Sequence, residues 1–241
     1  MNQYEYILFD ADGTLYDFPY AEEHAIQETW DAYKIPVNEI TLTCFRKHNI
    51  FCWKQLEEGL IGYDALQPKR FELMFGELGY NEINPSKFNH DYIDNITKHS
   101  KLFPQSLEVL KELKNRGYKL FIITNGIYSF QKEPFNREET KNIFEKVFYS
   151  QILNVCKPDK KFFDHVFKGI GLENVSAEER KKKVIVVGDS LTSDIQGGIN
   201  ANLDTIWFNP NKTPVNEKVK PTFVINQLNE LLDYFPSLKS I

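Results

Sequence analysis

The sequence is short of sulfur, of positive charge and of long apolar runs. Among its 241 residues there are only three cysteines and two methionines. No apolar stretch approaches the ~20 residues of a membrane-spanning helix, which argues against a membrane partner. The opening MNQYEYILFD has neither the basic start nor the apolar core of a secretory signal. Cys44, Cys52 and Cys156 are odd in number and form no C-x-x-C pair, so they read as free thiols of a reducing compartment; the expected location is cytoplasmic. Basic residues are outnumbered, 29 Lys and Arg against 34 Asp and Glu, for a formal net charge of −5. That balance disfavours a broad nucleic-acid surface. The five histidines (His24, His48, His90, His99, His165) are scattered along the chain, and the absence of a His/Cys cluster disfavours zinc. Neither an internal repeat nor a low-complexity tract is present. The longest basic run, Arg180–Lys183, precedes an apolar segment and reads as a solvated loop rather than a phosphate-binding patch.

What the sequence does contain is an alternation of two periodicities. Near-continuous apolar runs at 4–10, 118–125, 146–150, 183–189, 204–209 and 222–226 have the composition of parallel strands covered on both faces. Between them lie helical patterns. Residues 104–117 place Leu107, Leu110 and Leu113 at helical spacing between Pro104 and Gly117, residues 158–171 put Phe162, Phe163, Val166 and Phe167 on one face, and 192–202 follow the fourth strand. The fold class this predicts is α/β, a Rossmann-like parallel sheet flanked by helices. From about Phe18 to Leu102 the alternation stops. That segment carries helical patterns only, punctuated by Pro19, Pro36, Gly79 and Pro85. It predicts a core of residues 1–17 and 103–241, with 18–102 as an all-helical insertion over one end of the sheet.

Ligands of open parallel sheets bind at the carboxyl ends of the strands. Four polar groups fall there: Asp10-Ala11-Asp12-Gly13-Thr14, Thr124-Asn125-Gly126, Cys156-Lys157-Pro158, and Gly188-Asp189-Ser190 with Asp194 five residues after Asp189. Each alone could be a turn or a helix cap; all four at one edge point to a site. Clustered carboxylates need a cation among them. Oxygen ligands with open positions suit Mg²⁺, which also meets substrate phosphate. Thr124, Lys157 and loop N–H groups would then face the phosphate oxygens. A carboxylate can serve as the nucleophile of phosphoryl transfer, through an aspartyl-phosphate.

DADGT (10–14), TNG (124–126), KP (157–158) and GDSLTSD (188–194) occur in an order that resembles the four motifs of the haloacid dehalogenase (HAD) superfamily. The resemblance spans nearly the whole chain. It implies a Rossmann-like core with a mobile helical cap inserted after the first motif. Carried over position by position, it implies Asp10 as the nucleophile and Asp12 as the acid that protonates the leaving oxygen and then activates water. It implies Mg²⁺ bound by Asp10, the backbone carbonyl of Asp12, and Asp189, with Asp194 standing behind these ligands. Thr124 and Asn125 would hold the phosphoryl group, and Lys157 would neutralise it together with Asp10. Haloacid dehalogenases lack an acid two residues after the nucleophile, so Asp12 favours phosphate transfer over carbon–halogen cleavage.

The insertion should choose the substrate, a small-molecule phosphate ester. Its stretch 49–71, through Asn49, Trp53, Gly59, Ile61, Leu66, Arg70 and Phe71, resembles bacterial pyrimidine 5′-nucleotidases of this superfamily, as does GGINANLDTIWFNP at 197–210. The resemblance implies a nucleoside 5′-monophosphate. Trp53 or Phe18 could stack on a base and Asn49 could pair with its edge; Trp53 on an amphipathic helix equally suits the insertion's own core. The segment 131–144 departs from that group, with Pro134 and Glu139 where Arg and Gly are expected, and Pro134 predicts an interrupted helix. A sugar-phosphate phosphatase or phosphomutase shares the four motifs, and a non-catalytic phospho-ligand module is a third reading.

Overall fold

The computed structural model describes residues 4–214 and 218–238, and the chain divides into two compact units, Met1–Asp17 with Leu102–Ile241 and Phe18–Lys101. The first unit is built on six strands: β1 Tyr6–Phe9, β2 Lys119–Thr124, β3 Lys146–Tyr149, β4 Val184–Gly188, β5 Asp204–Phe208 and β6 Phe223–Ile225. Each strand lies inside one of the apolar runs read from the sequence. All pairings are parallel, in the order β3-β2-β1-β4-β5-β6, which is the doubly wound arrangement.

The second unit holds α1 Phe18–Ala32, α2 Glu39–Glu57, α3 Tyr63–Leu78 and α4 Pro85–His99. The first unit continues with α5 Ser106–Asn115, α6 Tyr128–Phe135, α7 Ser150–Leu153, α8 Lys160–Gly169, α9 Ala177–Lys183, α10 Gln196–Asn200 and α11 Leu231–Tyr234. Two short turns complete it, a π turn at Leu191–Ile195 and a 3₁₀ turn at Leu228–Glu230. Among the described residues no helix is long and apolar enough to cross a membrane.

Alternate residues of each strand feed opposite faces of the sheet. Ile7, Phe9, Leu120, Ile122, Ile185 and Val187 pack with Leu110 and Leu113 of α5 and with Leu231 of α11. Leu8, Phe121, Ile123, Val184 and Val186 pack with Phe162, Phe163, Val166 and Phe167 of α8. Both faces are therefore dry, which is why the strands lack a polar side. The central position of β1 has a direct consequence for the site. Phe9 pairs with Ile122 on one side and Val187 on the other, so the chain beyond Phe9, Thr124 and Gly188 emerges at one edge.

Three local expectations are corrected. The basic run at 180–183 is not a loop but the last turn of α9. Ser176 caps that helix and Glu178 and Glu179 open it, so lysines at its end complement the helix dipole. The helix after β4 is not a regular one over 192–202 but the π turn followed by α10. The helical pattern at 158–171 is narrower, α8 running from Lys160 to Gly169 behind its cap Asp159, and α7 lies between it and β3. Pro134 lies inside α6 but, with no N–H to bond back along the helix, it stands at its end: α6 stops one residue later.

In the helical unit α1 packs on α4, α2 on α3 and α3 on α4. Asn38 begins α2 with a reciprocal capping box to Thr41, and Gly79 ends α3 at φ +82°. The packing is aromatic: Trp30 meets Phe45, Phe71 and Phe88 edge to face, with centroids 5.1–6.1 Å apart. Trp30 is fully buried, yet its indole N–H has no hydrogen-bond partner among the described residues. Replacing it with alanine should cost about 3–5 kcal/mol. Trp30→Phe should cost markedly less, because the lost N–H makes no bond. Urea unfolding of both variants checks the order.

Candidate active site

The site is built where β1, β2 and β4 end. Lys157 is 1% exposed, and a lysine so buried requires anionic partners. Its ammonium has three N–H groups and three acceptors: Asp10 Oδ1 at 2.7 Å, Asp194 Oδ1 at 2.6 Å and the carbonyl of Ile123 at 2.8 Å. Burial works against its charge, but Asp10 and Asp194 outweigh it and hold Lys157 above the usual lysine range. The backbone at Lys157 is fixed by Asn125, whose Nδ2 donates to the Lys157 carbonyl and whose Oδ1 accepts from the Lys157 N–H, both at 2.9 Å.

Each acid is positioned by its own loop. Asp10 directly follows β1, and its N–H donates to the Val187 carbonyl at 2.8 Å. The Thr14 hydroxyl lies 3.1 Å from Asp10 Oδ2 and 3.2 Å from Asp189 Oδ1, so a single proton serves two carboxylates. Gly13 sits at φ +88°, and a Cβ there would stand 2.6 Å from Asp189 Oδ2. The Trp207 indole donates to the Asp189 carbonyl at 2.8 Å. Asp194 belongs to the π turn, and its Oδ2 accepts from the Ser190 N–H at 3.0 Å. A Cβ on Gly188 would come within 2.4 Å of Asp194, so the strand approaches that side chain as only glycine can.

Asp12 is held from another direction. Gln131 of α6 donates through Nε2 to Asp12 Oδ2 at 2.7 Å and to Thr124 Oγ1 at 3.0 Å. Thr124 also accepts the Gly126 N–H at 2.9 Å. Its hydroxyl proton can therefore point elsewhere.

Charge is in surplus. Burial pushes Asp10 up to about 6, with Asp194 adding to the shift and Lys157 opposing it. Burial, then Asp10, pushes Asp12 up to about 7. Burial, Asp10 and Asp194 hold Asp189 well above the carboxylate range. One ammonium does not balance these acids. Ligand oxygens of Asp10, Asp189 and Asp194 all lie within 4.8 Å of one another, an all-oxygen donor set that fits a hard divalent cation. Both oxygens of Asp10 and of Asp194 already take protein donors, whereas Asp189 takes the Thr14 hydroxyl on Oδ1 alone, so Asp189 has the greatest capacity for a cation.

The structure thus brings Asp10, Asp12, Thr124, Asn125, Lys157, Asp189 and Asp194 together in the α/β unit. Phe18, Asn49 and Trp53 lie in the helical unit. Phe18 is the first residue of α1 and half-buried. Asn49 Oδ1 accepts from Arg70 at 3.1 Å, and Arg70 also donates to Asn89 at 2.9 Å. Trp53 packs half-buried against the cluster of Cys52, Leu56 and Leu66, edge-on to Tyr63. One histidine does stand beside a cysteine and an acid. His48 and Cys44, one turn apart on α2, meet Glu77 of α3, with His48 2.8 Å from its carboxylate. Lys47 pairs with the same Glu77 oxygen, so the group already forms an ion pair between α2 and α3.

Sequence reasoning missed Gln131 and Trp207. Neither belongs to one of the four motifs: Trp207 lies within 197–210 and Gln131 opens 131–144, but a lone glutamine or a strand tryptophan carries no spacing signal. Only the position of Gln131, in the first helix after the Thr124 motif, hinted at it.

Known proteins resemble this chain in sequence and in fold. The family model for haloacid dehalogenase-like hydrolases fits residues 4–202. HAD-hydrolase YfnB of Bacillus subtilis is 31% identical over 96% of this chain and 95% of its own. Its magnesium-bound crystal structure superposes with a TM-score of 0.84, at 30% identity, over 97% of this chain and 99% of that one. Pyrimidine 5′-nucleotidase PynA of Streptococcus pneumoniae is 31% identical over 95% of this chain and 94% of its own. A glyceraldehyde 3-phosphate phosphatase of Pyrococcus furiosus is 31% identical over 97% and 93%. With the family match covering most of the chain and these relatives aligned nearly end to end, the chain belongs to the haloacid dehalogenase-like hydrolases.

Proposed function

We propose that this protein is a Mg²⁺-dependent phosphatase of small phosphate monoesters, acting through an aspartyl-phosphate and preferring a nucleoside 5′-monophosphate. The observation that carries the reading is the buried Lys157 ammonium between Asp10 and Asp194, with a second acid, Asp12, two residues beyond Asp10. A carboxylate held against a buried cation can attack an anionic phosphoryl group, whereas an unscreened one would repel it.

Asp10 attacks phosphorus, forming a carboxyl O–P bond as the bond to the ester oxygen breaks. Asp12 gives its proton to that departing oxygen. Asp12 then takes a proton from the water that attacks the aspartyl-phosphate, and the Asp10 O–P bond breaks to release phosphate. Thr124 and the N–H of Asn125 hold the phosphoryl oxygens throughout, and Lys157, its three N–H groups already bonded, offsets their charge together with that of Asp10. Bound by Asp10, the Asp12 carbonyl and Asp189, with Asp194 behind them, Mg²⁺ would supply positive charge between carboxylates and phosphate.

The helical insertion, residues 18–102, is proposed as the substrate-selecting cap. The likeness of residues 49–71 to pyrimidine 5′-nucleotidases and the match to PynA support a nucleotide. Asn49 already spends its carbonyl on Arg70, so its amide N–H groups are what it can offer a base. Phe18 and Trp53 are the proposed aromatic contacts. The match to the glyceraldehyde 3-phosphate phosphatase supports a second reading, a sugar-phosphate phosphatase.

Phosphate release from dUMP, dTMP, UMP, glyceraldehyde 3-phosphate and glucose 1-phosphate, each with Mg²⁺, separates these. The nucleotides should be turned over fastest; faster sugar-phosphate turnover selects the second reading, and isomerised glucose phosphate a mutase. Chelation should abolish release and added Mg²⁺ restore it. Asp10→Asn should eliminate turnover. Asp12→Asn should lower kcat about 10²–10⁴-fold, the scale of general acid–base catalysis. Full activity in Asp10→Asn, or no turnover of any ester by the unaltered protein, would reject the proposal.

A further inference from the structure

We propose that Gln131 is a positioning residue for leaving-group departure, acting through Asp12; this rests on the phosphatase reading. Gln131 is 1% exposed and lies one turn into α6. A glutamine amide buried so deeply is costly unless its polar atoms are used. Its Nε2 is used twice, on Asp12 Oδ2 at 2.7 Å and on Thr124 Oγ1 at 3.0 Å. Its Oε1 has no hydrogen-bond partner among the described residues. A group placed for stability alone would satisfy both ends. Gln131 instead leaves one end unsatisfied and spends both donors on two residues of the site.

Packing fixes the amide as firmly as bonding does. A Cβ on Gly126 would stand 2.1 Å from Gln131 Nε2, so the loop after β2 closes directly onto the amide. The shape of that loop and the aim of the amide are thus set together. With Oδ2 tied to Gln131, Oδ1 of Asp12 is the oxygen turned to the reacting ester. Rotation of the Asp12 carboxyl would misdirect the proton without altering the charge or the position of Asp10. Gln131 therefore serves the step in which the proton passes from Asp12 to the ester oxygen while the P–O bond breaks. Its bond to Thr124, which holds a phosphoryl oxygen, serves every ester alike, so the part of its effect that depends on the leaving group passes through Asp12.

The test compares two leaving groups on Gln131→Met, which keeps length and volume but has no amide. Alkyl leaving groups, as in dUMP, need the proton; the phenolate of p-nitrophenyl phosphate departs without it. The parameter is kcat/KM, which reports steps up to departure. For dUMP it should fall about 10–100-fold, part of the range for a general acid. For p-nitrophenyl phosphate it should fall far less. Both values come from one preparation, so any unfolded fraction cancels in their ratio. If Gln131→Met does not fold, Gln131→Ala, with room for water, gives the same ratio. Equal losses on the two substrates, or none on dUMP, overturn the inference. Failure of the unaltered protein to hydrolyse these or any of the esters named above overturns the phosphatase reading instead.

Discussion

An ammonium group at the dry end of a parallel sheet is the constraint on which the rest depends. Lys157 is charged where water cannot reach it, and it stays charged only because Asp10 and Asp194 stand at 2.7 and 2.6 Å. Removing one partner of such a pair leaves an uncompensated charge, commonly a loss of about 3–5 kcal/mol. Three segments far apart in sequence must therefore arrive together: the end of β1, the turn before α8 and the π turn after β4. The parallel sheet makes this possible, because it delivers β1, β2 and β4 to the same edge in register. Asn125 completes the arrangement by clamping the backbone of Lys157 to the end of β2.

The site's excess of acid follows from the same geometry. Asp10, Asp12 and Asp189 are each pushed upward by burial and by one another or Asp194, and one lysine cannot offset them all. Such an arrangement is unstable as a purely structural device. It makes sense as a place prepared for more positive charge and for a reacting anion. This is how a functional site differs in energy from a well-packed core.

How much of this was legible in the sequence differs from residue to residue. The strands could be read because burial on both faces leaves unbroken runs such as VIVV at 184–187, and all six runs became strands. Asp10, Lys157 and Asp189 could be read because four polar motifs fall together among the segments that follow the strands, although each alone could be a turn or a helix cap. Gln131 could not, since its meaning depends on α6 turning its side chain back to Asp12, a contact across 119 positions. Trp207 could not, because a tryptophan in an apolar strand looks like core. The helix at 177–183 was misread through its basic end, although Ser176 and the two glutamates carried the stronger local signal. The aromatic contacts of Trp30 join α1 to three other helices, which no local pattern specifies.

Gly188 shows how far the charge of the site depends on plain volume. It needs no unusual backbone conformation; its importance lies in the atom it does not have. The space left by that atom is where Asp194 passes to reach Lys157. A single methyl group there would carry no charge and break no hydrogen bond of its own. It would still push a carboxylate off an ammonium and change the electrostatics at the proposed nucleophile. In this protein a steric lesion of the smallest size would be felt as an electrical one.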